Sequence, residues 1–135
     1  QMKEQLLTTL ENSRNYTLAV LKAMPEANYH SQPIKEIMSF SELLNHIAYG
    51  IIWWKENVIL GKETDWEPPK TKNQEDTVNY LNQAYDTLRK TVEKAEVNDN
   101  FLNAFHSTMD HITHHRGQAV LHLRYNNIKP TEYSF

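Results

Sequence analysis

A chain of 135 residues is one domain's worth of sequence, long enough to bury a core without staples. It contains no cysteine, which excludes disulfides, thiolate metal sites and a cysteine nucleophile, and its three glycines and five prolines speak against a turn-rich all-β fold. Fourteen Lys and Arg against 17 Asp and Glu give a formal charge of -3 with no basic run, so nucleic acid is not an expected partner.

No apolar stretch approaches the length of a membrane span, and the opening residues Gln1 to Gln5 lack the apolar region of a signal peptide. The expectation is a cytoplasmic, single-domain, all-α protein over residues 1–135, with no membrane partner and with Gln1 preceding a native start at Met2.

Leu7, Leu10, Leu18, Leu21 and Met24 recur at helical spacing before Pro25, predicting a first helix over roughly residues 2 to 24. Ser39 followed by Glu42 reads as a capping box, with Leu43, Ile47, Ile51, Trp54 and Val58 as the apolar stripe of a second helix ending near Gly61. After Pro68 and Pro69, Val78, Leu81, Tyr85, Leu88 and Val92 mark a third helix, with Asn73 as its N-cap. Phe101, Phe105, Met109, Ile112, Ala119 and Leu123 give a fourth, closed by Asn126, Asn127 and Pro130. The connections over 25–39 and 61–73 exceed typical bundle loops, so at least one is expected to cross over the bundle.

The chemistry concentrates in histidines. His111 and His115 are four residues apart on the fourth helix, so one turn stacks them on one face. With His111 at zero, His115 falls at about 40° and the apolar stripe at about 100 to 120°, which places the pair on the flank of the core face. His46 occupies the equivalent flank of the second helix. Two such helices packed core to core bring three imidazoles together at the edge of a bundle. Three nitrogen ligands leave a coordination position free, as in catalytic sites, whereas structural zinc sites usually use four protein ligands. Spacing alone supports this weakly, since a pair of histidines four residues apart is common in helices by chance.

Other residues have double readings. Glu42, one turn before His46, is placed to act as a hydrogen-bond acceptor for a ligand, a general base or a fourth ligand, and its capping role explains it equally well. Arg116 points toward the core, where a structural salt bridge is the favoured reading and orientation of an anionic substrate the alternative. Gln118 lies on the His111 flank, within reach of a ligating imidazole or a metal-bound water. Trp53, Trp54, Trp66 and Tyr49 are read as core or dimer contacts ahead of a pocket mouth. His114 is expected to face solvent, His122 to lie too far along the axis to share the ion, and His30 and His106 to be ordinary loop and helix-start residues.

The run from Ser39 to Ile47, His111 with His114-His115-Arg116-Gly117-Gln118, then Leu123-Arg124-Tyr125 and Lys129-Pro130-Thr131-Glu132-Tyr133 resemble the DinB family over nearly the whole chain. The Leu21 to Pro25 end of the first helix matches as well. The resemblance implies a four-helix bundle in up-down-down-up order, with the loop after the second helix as crossover. It also implies a metal on residues matching His46, His111 and His115, and homodimers formed through helix faces. The tail departs from the family pattern, with Asn127 where glycine is usual and Thr131 near an expected second proline. Asn tolerates the left-handed conformation that glycine would supply.

Two functions follow. One is a metal-dependent enzyme that activates water or, as the resemblance favours, a low-molecular-weight thiol toward a small-molecule electrophile, as a transferase or hydrolase. The other is a non-catalytic, metal-stabilised dimer of the stress response. Imidazole ligands suit several divalent transition metals, with zinc or nickel expected.

Overall fold

The computed structural model describes residues 2–133, and among them the secondary structure is helical, without strands. Gln1, expected to precede the native start, lies outside the described residues. Four long helices carry the fold: α1 (Met2–Ala23), α2 (Phe40–Trp54), α3 (Gln74–Lys94) and α4 (Asp99–Tyr125).

Local chemistry sets their limits. Pro25 ends α1 and caps a short 3-10 turn, Glu26–Asn28. The predicted capping box opens α2: Ser39 Oγ accepts from the Glu42 backbone N–H, and Glu42 Oε1 accepts from the Ser39 N–H at 2.9 Å. Asn73 and Asn98 cap α3 and α4 by accepting from the backbone N–H groups of Asp76 and Phe101. At the end of α4, Asn127 takes φ 60° while its N–H bonds back to the Arg124 carbonyl, the left-handed turn expected of it.

The second helix departs from its sequence pattern. After Trp54 the chain widens into a π-helical turn, Lys55–Ile59, before Gly61 turns with φ 71°. Widening advances the register beyond 3.6 residues per turn, so Val58, predicted on the apolar stripe, is 38% exposed. On α1 the buried face is carried by Leu6, Leu10, Thr17, Val20 and Leu21, with the predicted Leu7 and Leu18 only partly covered.

All four helices feed one core cluster that includes Leu10, Leu21, Leu44, Ile47, Ile51, Leu81, Leu88, Phe105, Ile112 and Leu123. Polar contacts tie the helices in pairs. Lys3 on α1 reaches the carbonyls of Glu93 and Ala95 at the end of α3, and Arg14 pairs with Asp86 at 2.8 Å. Gln74, at the start of α3, reaches the carbonyls of Leu21 and Met24. Across the bundle, Phe40 at the start of α2 meets His122 near the end of α4, and His46 meets His115.

Candidate metal centre

The α2–α4 interface holds the three predicted histidines together. One potential ligand atom from each of His46, His111 and His115 lies within 4.8 Å of the others, and among the described residues no Asp, Glu or further His joins this cluster. His46 Nε2 and His115 Nε2 are 3.0 Å apart. The ring centroids lie 4.2 Å apart for His46 and His115, 4.6 Å for His111 and His115, and 5.1 Å for His46 and His111.

The arrangement suits a cation. His111 Nδ1 is buried and has no hydrogen-bond partner, a cost that a protein ordinarily avoids. Burial, followed by the nearby His115 imidazole, pulls the pKa of His46 down to about 4. Burial, with His115, His46 and His114 adding to it, does the same to His111, also to about 4. Both rings are therefore neutral at pH 7 and keep the lone pairs that a metal requires. Gln118 Oε1 lies 2.9 Å from His115 Nδ1, so it can accept that nitrogen's proton and leave Nε2 as the donor atom facing His46.

Gly50 makes room for this geometry. A Cβ at position 50 would overlap His111 Cε1 and come within 2.8 Å of its Nδ1. The sequence signal was a lone glycine inside a helix, which costs about 1 kcal/mol against alanine and calls for a packing reason.

The segment between Gly61 and Asn73 runs against α2 and closes one side of the site. Tyr49 Oη accepts from the Glu67 N–H at 2.8 Å, Trp53 Nε1 donates to the Thr64 carbonyl at 3.2 Å, and Asn45 Nδ2 donates to the Pro69 carbonyl at 3.0 Å. These bonds seat Trp66 beside His46, with centroids 5.2 Å apart, and against Tyr49 at 4.7 Å and Trp53 at 5.6 Å. Trp54 stands 5.8 Å from His111. The aromatics favoured as core or dimer contacts thus form a wall beside the imidazoles, and Trp66 remains 41% exposed. Sequence spacing could not show this, because Trp66 lies in a connection without helical periodicity.

The remaining predictions divide. Glu42 is exposed and its carboxylate serves the α2 cap, where the Ser39 backbone and then its side chain lower its pKa. Exposed His114 sits 4.9 Å from His115, while His122 is buried edge-on against Phe40, away from the triad. His30 Nδ1 lies 2.7 Å from Ser41 Oγ, and His106 is exposed.

Arg116 requires a correction. It is buried, as predicted, but its contacts among the described residues are the neutral oxygens of Ser13 and Thr17 and the rings of Tyr16 and Tyr133, in place of a salt bridge. A guanidinium lying against two aromatic rings that meet edge-on, as Tyr16 and Tyr133 do at 5.0 Å, can be held without a carboxylate.

A search of curated proteins returned no match. A sequence model of the DinB family matches residues 1–104, a span that includes His46 and ends before His111 and His115. Since that match covers well over half of the sequence, and the fold and histidine cluster agree with it, the chain belongs to the DinB family.

Proposed function

We propose that this DinB protein is a metal-dependent enzyme of the cytoplasm. In this reading His46, His111 and His115 hold one divalent transition-metal ion, zinc or nickel, and a small-molecule substrate meets activated water or a low-molecular-weight thiol. The observation that carries the reading is the convergence of three imidazoles without a fourth protein ligand among the described residues. A divalent ion in such a site supplies Lewis acidity, lowering the pKa of a bound water or thiol so that a nucleophile forms at neutral pH.

The chain's own groups have definite tasks in this scheme. His46 and His111 stay unprotonated because burial disfavours their charged forms. Gln118 fixes the His115 ring, and Trp66 shields one side of His46 from water. Glu42, ionised and one turn before His46, is the candidate general base beside its capping role.

The architecture included in this proposal is a single domain over residues 1–135 in up-down-down-up order. Its support is pairwise: early α1 meets late α3, early α2 meets late α4, and Asn28 beyond α1 meets Asn126 beyond α4. Those pairings run α1 against α3, α2 against α4, and α1 alongside α4, and the 60–73 connection then serves as the crossover. A homodimer belongs to the same reading.

Elemental analysis of the purified protein beside His46→Ala, His111→Ala and His115→Ala tests the site. One equivalent of metal in the parent and a sharp loss in each variant is expected; unchanged content in all three would remove the triad. Metal-loaded protein is then assayed for thiol consumption with a panel of electrophiles. Metal-dependent stability with neither thiol consumption nor hydrolysis would favour the non-catalytic dimer.

A further inference from the structure

Arg116 follows His115 by one residue and so points about 100° further round α4. His115 faces α2, whereas Arg116 reaches α1, where its Nη1 lies 3.3 Å from Thr17 Oγ1 and 3.5 Å from both Ser13 oxygens. The guanidinium lies over the rings of Tyr16 and Tyr133, at 4.8 and 5.4 Å. All of these partners are neutral. At only 3% exposure a cation normally has a carboxylate beside it, and none pairs with Arg116 among the described residues.

Two further observations bear on this cation. A guanidinium offers five N–H donors, and among the described residues Arg116 donates only through Nη1. Nε and Nη2 are not among the side-chain atoms sealed from solvent without a partner. Arg116 also lines a groove of about 630 Å³ between α1 and α4, bordered by Thr9, Asn12 and Thr113. That volume is within the range of small-molecule sites. The Nε and Nη2 edge of a guanidinium matches the two oxygens of a carboxylate or a phosphate. Glu4 on the same wall and the net charge of -3 oppose a polyanion.

We propose that the α1–α4 groove binds a small oxyanion, the carboxylate or phosphate of a small molecule, through Arg116, with Thr9, Asn12 and Thr113 as neutral hydrogen-bonding neighbours. This site is separate from the histidine cluster, which opens on the α2 side of the same helix.

The full chain is titrated with sodium phosphate and with sodium acetate against sodium chloride at equal ionic strength, following the unfolding midpoint and, by calorimetry, the binding heat. Saturable stabilisation by phosphate, acetate or both, beyond that of chloride, is expected, and the stronger of the two identifies the anion type. Asn12→Asp adds a carboxylate to the groove without touching the core and is expected to weaken binding about tenfold or more. Arg116→Met is expected to abolish it. His46→Ala is expected to bind the anion as the parent does. Equal effects of all three salts, unchanged binding by Asn12→Asp, or loss of binding in His46→Ala would each overturn the proposal, the last by placing the anion at the histidines.

Discussion

Gly50 of α2 faces the imidazole of His111 on α4 so closely that a β-carbon at position 50 would overlap the ring. The absence of a side chain at one residue therefore fixes where a potential ligand on another helix sits. Gly50→Ala separates two opposing effects. Helix propensity alone would stabilise α2 by about 1 kcal/mol, whereas overpacking typically costs about 1 to 3 kcal/mol. The expected outcome is a helical, modestly destabilised protein with metal content well below that of the parent. Full metal occupancy in Gly50→Ala would show that His111 is not held where the site needs it.

The metal-free protein should lose stability in acid. His46 and His111 have folded-state pKa values of about 4, below the 6.5 of a free imidazole. Between those values the unfolded chain binds protons that the folded chain does not, so stability is complete above about pH 6.5 and falls as pH drops toward 4. Urea unfolding of chelated protein across this range should show proton uptake by both imidazoles, with His122, whose pKa burial also lowers, adding to the slope. His46→Ala should reduce the slope by close to one proton, and an unchanged slope would contradict the assignment.

Gln118 should act on the metal through His115. Its Oε1 is 2.9 Å from His115 Nδ1 in an exposed setting. Partners of this kind are worth about 10- to 100-fold in metal affinity, and exposure places this one near the lower end. Competition with a chelator should show Gln118→Leu binding metal about tenfold more weakly at nearly unchanged unfolding stability. Equal affinity would leave the contact without a role in the site.

Trp66 offers an optical readout. Its ring lies 5.2 Å from His46, close enough for a paramagnetic ion at the histidines to quench its fluorescence. Titration with nickel is expected to quench the parent strongly and Trp66→Phe less, with Trp54 near His111 supplying the remainder. Identical quenching in both would place the ion away from the aromatic wall.

The sequence by itself determined the helices and their caps, because periodicity and the Ser39–Glu42, Asn73 and Asn127 signals act over a few residues. It also placed His46, His111 and His115 on compatible flanks, since helical geometry converts spacing into direction. Whether those flanks meet was not a local question. Packing of α2 against α4 decided it, and with it the need for a glycine at position 50. The π-helical turn that exposed Val58 and the irregular segment that carried Trp66 to His46 lie where no period exists to be read. Arg116 was recognisably buried from its place on the wheel, but its partners come from α1 and the tail, roughly a hundred residues before and some seventeen after, so only the tertiary structure could replace the expected salt bridge with Ser13, Thr17 and two tyrosine rings.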